Sequence, residues 1–387
     1  MTPRRGRFLA LAIGVALALG LLAAAELVTR LLVPGSPLKP AASFSRETAE
    51  FERLHSEGIE LDPYRVYRLA PNQHYDSISI NRLGLRGPEP AVPKPPGVLR
   101  VLCLGGSVVF GYGTSSDATA PPAVLERLLE SGVPTPWRVE VVNAGIGGYV
   151  SRQELVLLRE LASQLDPDVV VVIDGGNDLL SPFSNAGRIG LPWGYLRFEQ
   201  AFADFKRHEA RPVTLLSDFA RSAATGFAAR SRLFGLLARR VAPPAPRVPL
   251  ELEGIAPLYG SNVEAMALFA RRARAGLLVV LQPIWGIGET RPDRRLALWE
   301  SANPGYIVSS QRAIAEMRHT LARLGADPEL ELHWLDASTL FAGRRDVFRD
   351  ALHYATDAQN AELAAAIAPD VARLLVEAAA RRSAPPR

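Results

Sequence analysis

Four short motifs carry side chains that could perform acyl transfer together. In chain order they contain Ser107, Gly148, Asn177 and the pair formed by Asp350 and His353. A serine hydroxyl is a poor nucleophile until a base removes its proton, and histidine is the side chain best suited to that task near neutral pH. The serine and the histidine therefore suggest nucleophilic catalysis on an acyl group.

The other motif residues suit the charges that such a reaction develops. The Asp350 carboxylate, three residues before His353, could accept a hydrogen bond from the imidazole and stabilise the imidazolium. The tetrahedral intermediate carries an oxyanion, for which the N–H of Ser107, the N–H of Gly148 and the side-chain amide of Asn177 are candidate donors. Each of these residues could instead have only a structural role, in a turn or at a helix cap.

Apolar runs and amphipathic helices predict where these motifs lie. The predicted strands are residues 98–104, 139–142, 169–173, 277–281 and 332–335. The predicted helices are residues 123–130, 153–164, 262–275, 307–324 and 358–380. Continuous apolar strands alternating with helices indicate a parallel sheet covered on both faces. Each motif follows a predicted strand, so we expect all four at the carboxyl edge of the sheet, where ligands bind in such folds.

The motifs and their order resemble the SGNH/GDSL hydrolase superfamily, whose four sequence blocks carry Ser, Gly, Asn and His. The matching segments are Gly105-Gly106-Ser107, Asn143 through Gly148, Gly175 to Asp178, and Asp350 to His353. The resemblance covers roughly residues 98–382. The family often has Asp where this sequence has Gly106; because that side chain is not the nucleophile, the resemblance still implies activity.

This resemblance implies a fold and a set of roles. The fold is an α/β three-layer sandwich with a flavodoxin-like parallel five-stranded sheet. The roles are a catalytic triad of Ser107, Asp350 and His353 and an oxyanion hole of Ser107, Gly148 and Asn177, with no cofactor or metal. Residues 81–87, 148–153 and 281–283 are also similar to segments of membrane-anchored or secreted bacterial members.

The N-terminus predicts the compartment. Arg4, Arg5 and Arg7 precede an uncharged apolar run at residues 8–25. Roughly 20 apolar residues span a bilayer as a helix, and the positive-inside rule keeps the arginines in the cytoplasm. We expect an uncleaved signal anchor, crossing the cell membrane once, with the remaining chain on the extracytoplasmic side. A cleaved signal peptide, giving a secreted or periplasmic protein, is the alternative.

Composition shifts divide the chain into three regions. These are residues 1–33, the arginine cluster and transmembrane anchor; 34–97, a stalk and N-terminal extension; and 98–382, the hydrolase domain, with an insertion at about 181–260. Within the extension, Arg86 could dock onto the domain, which we favour, or contact substrate. Trp193, Tyr195 and Trp285 could line an acceptor cleft or form the core of the insertion. His55 has no motif context and is expected to be structural or exposed.

Composition excludes several classes of protein. The chain has 387 residues, 48% of them hydrophobic and 22% charged, which is typical of a globular protein. A single Cys excludes an internal disulfide framework and a Cys-based zinc site. The net charge of +4 is spread along the chain without a basic stripe interleaved with aromatic residues, so we expect no nucleic-acid partner.

The sequence therefore predicts a serine-dependent ester hydrolase that acts outside the cytoplasm. Its substrate would be an acylated small molecule, glycan or lipid-like ester from which it removes acyl groups, acetyl among them. One alternative is an O-acyltransferase that modifies a cell-surface polysaccharide, since the same triad serves both reactions. Another is a non-catalytic glycan-binding or assembly protein, because a fold alone does not prove activity.

Overall fold

The structure, a computed structural model, describes residues 14, 17, 20–28, 46–130, 132, 136–196, 198–199, 252–288, 296–297, 300–301 and 305–383. The strands are β1 (Ile59–Asp62), β2 (Val66–Leu69), β3 (Gln73–His74), β4 (Ser79–Ile80), β5 (Val98–Gly105), β6 (Arg138–Gly145), β7 (Val169–Asp174), β8 (Gly276–Leu281) and β9 (Leu332–Asp336). The helices are α1 (Arg46–Glu57), α2 (Ser107–Phe110), α3 (Pro121–Leu129), α4 (Ser151–Leu165), α5 (Gly176–Ser184), α6 (Ile255–Arg272), α7 (Tyr306–Gly325) and α8 (Asp357–Ser383).

Five parallel strands form the central sheet. Their spatial order is β6-β5-β7-β8-β9, so the first strand of the sheet lies between the second and the third. This is the flavodoxin-like order 2-1-3-4-5, which reverses direction beside β5. Every residue of β5 and of β7 is buried, as a sheet covered on both faces requires. The predicted α/β fold with a five-stranded parallel sheet is confirmed.

The helices that cover the sheet lie in two groups. Helix α8 packs against α3 and against β7 and β8, whereas α6 packs against α4, α7 and β8. Their apolar residues recur at helical spacing; on α4, for example, Leu158, Leu161 and Leu165 are buried. Every predicted strand and covering helix is present, with ends that shift by up to about seven residues because helix ends fray and caps are weak sequence signals.

Three helices lie outside the predicted pattern. The four-residue α2 and the nine-residue α5 begin at the carboxyl ends of β5 and β7, and α5 extends past residue 181, where the insertion was expected to begin. Helix α1 lies within the residues predicted as a stalk. Residues 200–251, most of the predicted insertion, lie outside the described residues.

The described part of the N-terminal extension, residues 46–97, belongs to the same compact unit as the sheet domain. In α1, Phe51 and Leu54 are buried in the core. Strands β1 and β2 form an antiparallel hairpin, in which Leu61 lies opposite Tyr67. An antiparallel bridge between Arg86 and Asn143 joins the end of the extension to β6. The extension therefore contributes to the core near the carboxyl end of the sheet.

The predicted transmembrane segment, residues 8–25, lies mostly outside the described residues. The described residues 20–28 are helical. Among the parts of the chain that the structure describes, no helix has both the length and the apolar character needed to cross a membrane.

Candidate active site

Ser107 lies at the first position of α2, directly after β5. Gly105 and Gly106 turn the chain between the strand and the helix, and Gly111 ends the helix in the left-handed conformation. The Ser107 Oγ lies 2.6 Å from the Nε2 of His353. The serine side chain is thus within hydrogen-bonding reach of a base.

His353 is positioned by Asp350 and by an aromatic ring. Its Nδ1 lies 2.7 Å from the Asp350 Oδ2. The other carboxylate oxygen, Oδ1, accepts hydrogen bonds of 2.9 Å from the backbone N–H groups of Leu352 and His353. Tyr112 stacks on the imidazole with ring centres 3.9 Å apart. Because Asp350 bonds within its own loop, it does not cap α8, which begins seven residues later.

The electrostatics of Asp350 favour its ionised form. Burial by itself would raise the pKa of this carboxyl, but the neighbouring His353 and the two backbone N–H groups bring it below its usual range. An ionised carboxylate at Nδ1 requires that nitrogen to donate, which leaves the Nε2 of a neutral imidazole free to accept the serine proton.

The three candidate oxyanion donors lie at the same cavity. It has a volume of about 590 Å³, and its lining includes Ser107, Gly148, Asn177, Asp350 and His353. Within the described part of the chain, the N–H groups of Ser107 and Gly148 donate no hydrogen bond to another backbone group. The Asn177 Nδ2 donates one bond of 2.8 Å to the Tyr149 carbonyl, which leaves its second N–H available. The structure therefore brings all five sequence-predicted site residues together.

Space, and not backbone conformation, disfavours a larger residue at position 106. Its φ of −86° is open to other residues. A Cβ atom at this position would lie 2.2 Å from the Asn177 Nδ2, so the amide of Asn177 packs where a side chain would stand. A larger residue at position 106 would require the Asn177 side chain to move.

Comparison with known proteins identifies the family of the chain. A sequence model of the GDSL-like lipase/acylhydrolase family matches residues 103–356, about two thirds of the chain. The chain belongs to this family. Family membership supports an ester-bond hydrolase, and the matched region contains all five site residues named above.

Two kinds of relatives are similar to parts of this family member. The thioesterase 1/protease 1/lysophospholipase L1 of Escherichia coli K12 is 41% identical over 83 residues, which are 21% of this chain and 36% of that protein. The chain thus matches about a third of the length of its curated relatives. A lipase/acylhydrolase structure from Enterococcus faecalis has 16% identity and a TM-score of 0.40, covering 71% of this chain and 96% of its own. An acetylxylan esterase structure from Geobacillus stearothermophilus has 14% identity and a TM-score of 0.39, covering 72% and 94%.

Sequence reasoning missed the cavity-lining side chains of the extension, which lies outside the family-matched region. Much of the remaining lining is apolar, formed by Phe51, Ile59, Leu180, Trp193, Phe198 and Leu352. The first two come from the extension, and Trp193 and Phe198 come from the start of the predicted insertion. A helical spacing of apolar residues in α1 was the one available signal, since Phe51 and Leu54 are three positions apart.

His55 also lines the cavity, which its sequence context did not indicate. Its Nδ1 donates to the Phe51 carbonyl at 3.1 Å, and the two rings stack 4.0 Å apart. Burial lowers the pKa of His55 to about 4, so the ring is neutral near pH 7. A Cβ atom on Gly147 would lie 2.1 Å from the His55 Nε2, so this ring fills the space beneath the glycine.

Three buried carboxyl groups lie behind the oxyanion side of the site. Asp178 accepts hydrogen bonds from the backbone N–H and the hydroxyl of Ser151, at 3.0 and 2.6 Å, and so links the Asn177 helix to the start of α4. Asp174 accepts from the Tyr259 hydroxyl at 2.7 Å. Burial raises the pKa of Glu154 well above its usual range, and burial together with the charge of Asp178 raises that of Asp174 to about 7. The group is a structural brace.

The remaining residues singled out in the sequence divide between scaffold and cavity. Arg86 is buried and bonds to backbone carbonyls of the extension and of α2, so it docks the extension onto the domain. Trp193 lines the cavity, and its backbone N–H donates to the Gly148 carbonyl at 3.0 Å. Trp285 is buried in the core, and its backbone N–H donates to the carbonyl of Ala351, the residue after Asp350. Tyr195 does not line the cavity; the Arg188 guanidinium lies over its ring.

Proposed function

We propose that the chain is a serine ester hydrolase in which Ser107, His353 and Asp350 form the catalytic triad. The Ser107 oxygen attacks the acyl carbonyl while its proton passes to the His353 Nε2. The same proton then goes to the leaving alcohol, and water resolves the acyl-enzyme by the reverse sequence. The observation that carries the proposal is the hydrogen-bonded chain of 2.6 and 2.7 Å from the serine through the histidine to the aspartate.

The oxyanion of each tetrahedral intermediate would be stabilised by three donors. These are the N–H of Ser107, the N–H of Gly148 and the Asn177 amide, all at the cavity edge. Loss of one such donor typically costs about 10²–10³ in kcat, because fixed dipoles need no reorganisation as charge develops. Asn177→Ala is therefore expected to reduce turnover strongly while the chain stays folded.

The cavity favours substrates with an apolar acyl group. Its aromatic and aliphatic walls offer apolar surface to an acyl chain, and each methylene buried there would contribute about 0.8 kcal/mol. The relative from E. coli carries the names thioesterase and lysophospholipase, which makes acyl thioesters and lipid esters suitable test substrates beside acetylated sugars. We expect kcat/KM on p-nitrophenyl esters to rise from the acetate to the octanoate.

The test uses the full chain as wild type and as Ser107→Ala. Both are incubated with p-nitrophenyl esters and with a fluorophosphonate, and intact masses are measured. Wild type should turn over ester and gain one adduct, and Ser107→Ala should do neither. Ser163→Ala, which changes an exposed serine on α4, is the matched control and should behave as wild type. A folded wild type without adduct or turnover would refute the triad; turnover that requires an added sugar acceptor would identify an acyltransferase.

We also propose that the enzyme works outside the cytoplasm. The proposal rests on the arginine cluster before the apolar run at residues 8–25. In bacteria that express the chain with a C-terminal tag, added protease should cleave the tag once the outer membrane has been permeabilised. Protection of the tag until the cells are lysed would contradict it.

A further inference from the structure

The candidate oxyanion donor Gly148 lies in a tight turn. The Tyr149 N–H donates to the Ile146 carbonyl at 3.2 Å, and Gly148 has a φ of +80°. A positive φ at the third position of a four-residue turn is the signature of type II. Types I and II differ mainly in the orientation of the central peptide, which here joins Gly147 to Gly148. Two glycines leave both orientations sterically open.

That central peptide contains both the group that Tyr67 contacts and the N–H assigned to the oxyanion. The Tyr67 hydroxyl donates to the Gly147 carbonyl at 2.6 Å. In a trans peptide the carbonyl and the N–H point in opposite directions, so whatever fixes the Gly147 carbonyl also fixes the direction of the Gly148 N–H. Tyr67 is 4% exposed, and burial raises the pKa of its hydroxyl, which keeps it a donor.

We propose that Tyr67, from β2 of the extension, is a positioning residue for the oxyanion hole. Its hydroxyl holds the central peptide of the 146–149 turn in the orientation that presents the Gly148 N–H to the cavity. The inference rests on the proposed function and adds to it a residue outside the family-matched region. A hydrogen bond to a peptide carbonyl also polarises the N–H of the same peptide, which strengthens it as a donor.

Other contacts already hold the residues on either side of this peptide. On one side the Gly148 carbonyl accepts from the Trp193 N–H at 3.0 Å. Tyr67 itself is anchored, since the Tyr149 hydroxyl donates to its backbone carbonyl at 2.5 Å. A Cβ on residue 148 would lie 2.6 Å from the Tyr67 oxygen, so the hydroxyl sits directly against the glycine. The Tyr67 hydroxyl therefore lies close to both residues of the central peptide, Gly147 and Gly148.

The experiment compares Tyr67→Phe with wild type in the full chain. Turnover of a p-nitrophenyl ester gives kcat and KM, and an alkyl boronic acid, which forms a tetrahedral adduct with serine, reports affinity for the oxyanion. Because the donor stays in the chain but loses its support, we expect a fall of about 10-fold in kcat, less than complete loss of a donor. KM should stay within about 2-fold, and boronate affinity should fall by the same factor as kcat/KM.

The control is Tyr306→Phe. Tyr306 is also a fully buried tyrosine whose hydroxyl donates to a backbone carbonyl, that of Trp285 at 3.0 Å. Both variants should lose similar thermal stability, but Tyr306→Phe should keep its kcat and boronate affinity. Equal losses of kcat in the two variants, or a fall in kcat for Tyr67→Phe without a fall in boronate affinity, would overturn the inference. Wild type without turnover or adduct would refute the proposed function instead.

A second substitution covers the case in which Tyr67→Phe does not fold. Fluorinated tyrosine at position 67 keeps the shape and the hydrogen bond but makes the phenol a stronger donor. If the bond positions and polarises the peptide, kcat/KM and boronate affinity should rise together. If Tyr67 only fills space, both should stay at the wild-type values, and the inference fails.

Discussion

Arg86 provides the most quantitative test of how the extension supports the nucleophile. Its guanidinium donates to the Asp117 carboxylate at 2.7 Å, to the carbonyls of Phe110 and Gly111 at 3.0 and 2.8 Å, and to that of Ser77 at 2.8 Å. The residue is 2% exposed. Because α2 runs from the nucleophile position to Phe110, this one side chain ties the extension to the far end of the helix that carries the candidate nucleophile.

The cost of Arg86→Met follows from which acceptors lose all their donors. Two of the three carbonyls keep a second donor, from Asn143 and from Thr114. The Asp117 side chain is 27% exposed and can turn towards water. Within the described part of the chain, the Ser77 carbonyl has no second donor. Breaking a buried ion pair typically costs about 3–5 kcal/mol, so the partial compensation places this variant near 3 kcal/mol.

Urea unfolding checks this magnitude. Arg86→Lys keeps the charge but loses the planar fork, so about 1–2 kcal/mol is expected. Arg312→Met, which removes an arginine that is 66% exposed, is the matched control and should cost under about 0.5 kcal/mol. If Arg86→Met costs no more than Arg312→Met, the extension does not depend on this contact and the reasoning fails.

Three further substitutions test other parts of the site. Asp350→Asn should reduce kcat by about 10³–10⁴ with little loss of stability, because the amide cannot orient or stabilise the His353 cation; an unchanged kcat would remove Asp350 from the triad. Burial raises the pKa of Asp174 in the folded protein to about 7, above the ordinary value of 3.8. Between these two values the native state holds a proton that the unfolded chain has released, so the free energy of unfolding should fall as the pH rises through this range. Glu154→Gln should make that fall shallower in melting temperatures from pH 4 to 7, and parallel curves would contradict the shared burial of these carboxyls. Trp193→Ala should lower kcat/KM about 5-fold for an octanoate ester and little for an acetate, and equal losses would place the acyl chain elsewhere.

The sheet and the placement of the five motif residues at one edge of it were predictable because their signals are local. Strand β7 begins with four valines and an isoleucine, and β-branched residues pack well in a sheet buried on both faces. Each motif follows a strand of the sheet, although Asp350 comes 14 residues after the end of β9, so parallel topology brings the motifs to one edge. That is why Ser107 and His353, 246 residues apart, could be paired from the sequence.

The supports of the site were not predictable in the same way. Tyr67 bonds to a carbonyl 80 positions away, and nothing in Val66–Leu69 marks it as different from an ordinary hairpin tyrosine. The polar, proline-punctuated composition around α1 hid a helix whose Phe51 is buried beside the cavity. Such contacts depend on the docking of one element onto another, which periodicity along one segment does not encode.

Chemistry and support therefore come from different parts of the chain. The family-matched region, residues 103–356, contains the candidate triad and the oxyanion donors. The hydroxyl at the Gly147–Gly148 peptide, the guanidinium at the end of α2 and the ring beneath Gly147 all come from the extension before it. Positioning to within a fraction of an ångström decides the value of an oxyanion donor. Under the proposed function the extension is part of the catalytic unit, because a chain that keeps every motif residue but loses these contacts would keep the reacting groups without the geometry that makes them effective.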